Sequence, residues 1–213
     1  MDNNKYDIIR LRMEKTAEAL RKNNITAQCV DSVAEIPDVL NEWLCKGQTV
    51  AVGGSMSLYE SGVIDMLRNG DYVFLDRYQK NLDKLQIAEI YRKSFYADAY
   101  LCSANAITEN GEIYCLDGAG NRVAAIAYGP QSVIMVVGYN KIVCDMKQAR
   151  KRVKEISAPA NCKRLGLQTP CAVNGSCADC RSNNRICSIG LELSYQRVAN
   201  RIKVILVGEE LGY

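Results

Sequence analysis

The sequence predicts an α/β protein built on a layered, mainly parallel sheet flanked by helices. Three observations carry this prediction. Short apolar runs alternate with segments of helical period along most of the chain. Glycine-bearing turns recur where a run hands over to such a segment, as at Val50-Ala-Val-Gly53-Gly54. The run at 132–137, Ser-Val-Ile-Met-Val-Val, is apolar almost throughout, as a strand covered on both faces of a parallel sheet must be.

Residues 6–22 predict a helix, because Ile9, Met13, Ala17 and Leu20 form one apolar stripe that stops at Asn23-Asn24. A strand is predicted at 26–30. Asp31 or Ser32 then caps a helix reaching about Leu44, and Gly47 ends it before a strand at 49–52. Ser55 or Ser57 caps a third helix to about Arg68; strands at 72–75 and 99–103 bracket a helix over 81–96. A strand at 112–116, a helix at 121–127 and the strand at 132–137 continue the alternation. Asp145 opens a basic helix over 145–157, Pro159 is expected to end it, and the stretch to about 188 is rich in Cys, Gly and Asn without periodicity. A last strand over 201–208 rejoins the sheet. The expected organisation is one domain over 1–213, with a cysteine-rich excursion at 160–190.

The 213 residues are 48% apolar and 24% charged, the balance of a globular chain rather than a disordered or fibrous one. No apolar run approaches the roughly 18 residues of a spanning helix, and the first residues lack an apolar signal core, so a cytoplasmic protein without a membrane partner is expected. Histidine is absent, which excludes Ser–His and Cys–His nucleophile pairs and imidazole metal ligands. Residues 141–203 carry 13 Lys and Arg against 4 acids, a local charge of +9 that leaves −6 on the remainder. Aromatic interleaving and a recognition-helix pattern are both missing from this segment, so nucleic acid is not the expected partner. Lys147, Arg150, Lys151 and Lys154 instead form one solvated face of the basic helix.

Three glycine turns stand at predicted strand ends. Gly53, Gly54, Ser55 and Ser57 lie between a strand and a helix, where backbone amides can close on an anion; the alternative is a plain turn with a serine cap. Glu109, followed by Asn110 and Gly111, is the candidate general base or nucleophile in a chain without histidine, the alternative being an exposed Glu beside an Asn-Gly turn. Asp117, Gly118, Gly120 and Asn121 lead into a helix with Arg122 at its start, a residue able to clamp a carboxylate or phosphate. Together the turns suggest a small anionic ligand.

Five of the ten cysteines are scattered, at 29, 45, 102, 115 and 144. Cys171, Cys177, Cys180 and Cys187 fall within seventeen residues, with Cys162 upstream, and such crowding in a reducing compartment points to metal. The spacing matches neither paired C-x-x-C zinc ligands nor the ferredoxin run, so an iron–sulfur cluster, zinc and free thiols stay open; the nearby Lys163, Arg164, Arg181 and Arg185 would offset an anionic cluster.

The segments Val-Gly-Gly-Ser-Met-Ser-Leu, Ile-Thr-Glu-Asn-Gly, Asp-Gly-Ala-Gly-Asn-Arg-Val-Ala and Gly-Pro-x-x-Val-Ile-x-Val-Val-Gly resemble the lactate-utilisation (LUD) domain family over nearly the whole chain. Residues 160–190 resemble a cysteine-bearing C-terminal extension of some members. The resemblance implies a NagB/RpiA/CoA-transferase-like fold, similar to enzymes that bind sugar phosphates, folates or coenzyme A. It also implies a role beside iron–sulfur partner subunits in the oxidation of lactate or a similar hydroxy acid. Thr108-Glu109-Asn110-Gly111 resembles the nucleophile setting of class I coenzyme A transferases, which implies a transferase, isomerase or hydrolase of a phosphorylated or coenzyme A-linked substrate as an alternative. A non-enzymatic sensor or scaffold, and self-association, complete the expected readings.

Overall fold

The computed structural model describes residues 2–213. In chain order the elements are α1 (Asn3–Lys22), β1 (Thr26–Val30), α2 (Ile36–Trp43), β2 (Thr49–Val52), α3 (Met56–Glu60), α4 (Val63–Asn69), β3 (Val73–Leu75), α5 (Lys84–Lys93), β4 (Ala99–Cys102), β5 (Ala106–Thr108), β6 (Ile113–Asp117), α6 (Asn121–Ala127), β7 (Ser132–Gly138), β8 (Ile142–Val143), α7 (Met146–Arg152), α8 (Ala158–Arg164), α9 (Pro170–Asn174), β9 (Ile189–Leu193) and β10 (Ile202–Val207).

Six strands form a wholly parallel sheet in the order β1-β10-β7-β4-β2-β3. Alternation along β7 divides the core. Val133, Met135 and Val137 pack with the Met13, Ala17 and Leu20 stripe of α1, while Ile134 and Val136 pack with Ile36 and Leu40 of α2 and Leu58 of α3. The Asp2 carboxylate caps α1 by accepting from Lys5 N at 3.1 Å, and Arg21 and Lys22 close its negative end.

After β2 the chain runs outward to β3 and then returns on the other side of β2 to form β4. This reversal opens a crevice beyond the carboxyl ends of β2 and β4, the place where open α/β sheets take ligands.

Besides β5, β8 and α9, which were not expected, the structure departs from the sequence-based expectations at four places. The strand predicted at 112–116 does not join the main sheet. It is β6 of a second, mixed sheet ordered β8-β5-β6-β9, in which β5 and β9 run antiparallel to β6. The cysteine-rich stretch ends in β9, whose mostly exposed residues carry little apolar signal. The third predicted helix is two, because Gly62 adopts a left-handed φ of 72° between α3 and α4. Pro159 does not end the basic helix: α7 passes through a π-helical stretch, Val153–Ser157, into α8, and the proline occupies the first turn of α8, where its missing N–H is tolerated best.

Candidate functional site

The crevice is a cleft of about 240 Å³. Its floor comes from the strand ends of the main sheet: Gly54 and Ser55 after β2, Arg77 after β3, Ser103 after β4 and Lys141 in the turn after β7. One wall comes from Asp117 at the end of β6, Gly118 after it, Asn121 of α6, and Ile186 beside Cys187. Asn161 and Arg164 of α8 and Tyr213 cover the remaining side.

Two of the three glycine turns therefore meet at one cleft. Ser55 caps α3, accepting from Leu58 N at 3.3 Å, and Gly53 lies beneath the floor with its carbonyl taken by Tyr78 Oη at 3.2 Å. Ser57 is fully buried; its hydroxyl donates to Leu211 O at 3.1 Å and accepts from Lys141 Nζ at 2.7 Å. Gly120 holds a left-handed φ of 83° at the start of α6, a conformation that a residue with a side chain rarely adopts.

The third turn lies elsewhere. Glu109 closes the β5–β6 hairpin on the flank of α1, where its carboxylate accepts from Arg12 Nε at 2.6 Å and stands 3.9 Å from Lys15 Nζ. Asn110 O accepts from Asn23 at 2.9 Å, and Gly111, at φ 79°, approaches α1 so closely that a Cβ would come within 2.6 Å of its backbone. None of the three residues lines the cleft. An ion pair exposed to this degree contributes about 0–1 kcal/mol, so Glu109→Gln is expected to shift the urea unfolding free energy by no more than about 1 kcal/mol and to leave ligand affinity unchanged.

Arg122 lines the cleft but is not free to clamp a ligand. Its Nε donates to Asp117 Oδ1 at 2.9 Å, Nη1 to Ser103 O at 2.8 Å, and Nη2 to Asn105 Oδ1 at 2.7 Å and Leu116 O at 3.1 Å. Asp117 is equally committed, since Oδ2 accepts from the Arg122 and Val123 amides at 3.0 and 2.9 Å and so caps α6. The pair fixes the junction of the two sheets and holds the wall in place.

The cations that remain are Arg77, Lys141 and Arg164. Among the described residues no carboxylate lies within 4 Å of any of them. Arg77 stacks 4.6 Å from the Tyr91 ring and 5.3 Å from the Tyr78 ring. Its turn is set by Asp76, which accepts from Tyr78 N at 2.8 Å and Arg68 Nε at 2.9 Å. Arg164 donates to Asn161 Oδ1 at 2.8 Å. Lys141 is 2% exposed and donates to Ser57 Oγ and to Ser103 Oγ, the latter at 3.1 Å. Burial, with Arg152 and Arg122 near it, brings its ammonium down to about 7. Sequence reasoning missed Arg77, Ser103, Lys141 and Arg164. The signal for the first three was position, since each follows a parallel strand at the same edge as Gly54.

The family can now be stated from the sequence itself. The LUD domain model matches residues 13–207. The chain belongs to the LUD domain family. It is thus a protein of the lactate-utilisation type, and it shares its fold with a crystallised DUF162 family protein from Deinococcus radiodurans at a TM-score of 0.55 and 17% identity, over 93% of this chain and 98% of that one. A weaker likeness, at a TM-score of 0.37 and 15% identity, is to eIF2B beta from Chaetomium thermophilum, over 55% of this chain and 44% of that one. No curated protein matches the LUD chain. No helix among the described residues is long and apolar enough to cross a membrane.

The cysteines of the excursion do not form a ligand set. Cys171 is buried, with its Sγ 3.4 Å from Thr169 Oγ1; Cys162 is buried near it, and burial pushes the Cys162 thiol up. The Cys187 thiol accepts from Arg185 at 3.5 Å, and Cys177 lies 3.9 Å from Asp179. Among the described residues no three Cys, Asp or Glu side chains come close enough together to hold a metal ion. As arranged, these residues do not fit a cluster or a zinc ion, and no step below runs through one.

Proposed function

We propose that this LUD protein binds a small carboxylate, a hydroxy acid such as lactate or its oxo counterpart, as a component of a cytoplasmic system that oxidises it. The observation that carries the reading is the cleft at the strand reversal, supplied with three cations that have no carboxylate within 4 Å. Arg77 and Arg164 can take a carboxylate through their planar forks, and Lys141 meets the rest of a short acid at the floor. Gly54 leaves space for this: a Cβ there would stand 3.3 Å from Arg77 Nη1.

Calorimetric titration with lactate and with pyruvate tests the reading. One saturable site per chain is expected, weakened by added salt. Arg77→Gln should raise Kd about 10- to 100-fold, the value of a hydrogen bond to a charged group. Absence of binding, or binding indifferent to Arg77, would overturn it.

The cysteine segment adds a second, separable proposal: that Cys171, Cys177, Cys180 and Cys187 hold an iron–sulfur cluster, or zinc instead, and thereby link the protein to iron–sulfur partner subunits. It is supported by the crowding of four thiols within seventeen residues, and it requires those thiols to draw together from the arrangement described above. Anaerobically purified protein should contain iron and acid-labile sulfide, or else zinc, in fixed ratio to the chain; protein free of all three would remove the metal and leave the anion cleft untouched.

A further inference from the structure

Lys141 is a buried cation of the cleft that, among the described residues, has no carboxylate within 4 Å. A buried ammonium without a carboxylate loses several kcal/mol of solvation, and an apolar side chain would serve packing better. Nothing near it neutralises the charge by contact: its two hydrogen-bond partners, Ser57 and Ser103, are hydroxyls. Those hydroxyls give their own protons to Leu211 O and Ala104 O, so both turn lone pairs toward the lysine nitrogen. The nitrogen is thus held at a fixed point on the cleft floor, with cations at Arg77 and Arg164 placed to engage a carboxylate beside it.

We propose that Lys141 forms an imine with the carbonyl carbon of a 2-oxo acid bound in the cleft. This rests on the reading of the cleft as a carboxylate site, and goes beyond it by assigning a covalent bond to one atom. The amine lone pair attacks the carbonyl carbon, and the carbonyl oxygen takes up a proton to give a carbinolamine. The C–O bond then breaks, the second nitrogen proton is released, and water leaves as C=N forms. No oxidant or reductant is consumed. Ser103, at 3.1 Å from Nζ and itself on the cleft floor, is the hydroxyl placed to relay a proton to the departing oxygen once its O–H turns from Ala104 O. A lysine desolvated and set near other cations has the amine character this chemistry requires, and the ammonium here ionises at about 7.

The test incubates the whole protein with pyruvate and sodium cyanoborohydride near neutral pH, followed by intact mass and peptide mapping. One adduct per chain is expected, heavier by the mass of pyruvate less one oxygen, located on Lys141 and suppressed by oxalate, which offers carboxylates without a ketone. Lys141→Arg should abolish it, and Ser103→Ala should slow it at least 10-fold; wild-type mapping decides the matter if Lys141→Arg fails to fold. Calorimetric binding of pyruvate without an adduct at Lys141, or with adducts spread evenly over surface lysines, overturns the imine and leaves the carboxylate site standing. Failure of pyruvate to bind overturns both.

Discussion

Asp117→Ala is expected to lower folding stability by about 3–5 kcal/mol, seen as a large fall in the urea midpoint at unchanged m value. The carboxylate does two tasks at once. Among the described residues it is the only charge opposing the Arg122 guanidinium within 4 Å, in a pair whose side chains are 10% and 9% exposed, and it caps α6 through two backbone amides. Removing it strands a cation between two sheets. Asp117→Asn should be milder, because the amide oxygen still caps the helix. Arg122→Met on the Asp117→Asn background should recover part of the loss, because no buried charge is then left without its counterion. A loss below about 1 kcal/mol for Asp117→Ala would mean that the sheet junction does not depend on this pair.

The second large effect has the opposite sign. Lys141→Met should stabilise the protein at pH 6 by an amount on the order of a few kcal/mol, each unit of pKa displacement being worth about 1.4 kcal/mol. The groups around the amine are Ser57, Ser103, Arg122 and Arg152, with the Glu60 carboxylate acting the other way and the buried Cys115 thiol raised by burial, and burial dominates them all. Its folded-state ionisation, about 7, lies below the ordinary lysine value, so between these two the unfolded chain binds the extra proton. Wild-type stability from this group therefore rises with pH above about 7, and the penalty is complete below it. The advantage of the Met variant should shrink steadily from pH 7 toward about 10. A constant difference across that range would show that Lys141 stays charged in the fold.

Much of the main sheet was legible because its strands are apolar on both faces and stand between helices with clear stripes and caps. β2 and β7 are cases in point. The second sheet was not. β5 and β8 have three and two residues, too short for a period to register, and β9 is mostly exposed. That gap explains the misplaced Glu109: with β5 unread, its turn appeared to end a main-sheet strand, whereas it closes a hairpin against α1. The turns at Gly53-Gly54 and at 117–122 did converge, but the residues free to meet a ligand are isolated cations that form no motif. Arg122 looked like such a residue in sequence because nothing local reveals that Ser103 and Asn105, seventeen or more positions away, will consume its donors.

Crystals grown with oxalate test the central claim most directly. One anion is expected beyond the carboxyl ends of β2 and β4, with oxygens on Arg77 or Arg164 and within reach of Lys141 Nζ. An oxalate bound with comparable order on another face, while this cleft holds only water, would contradict it.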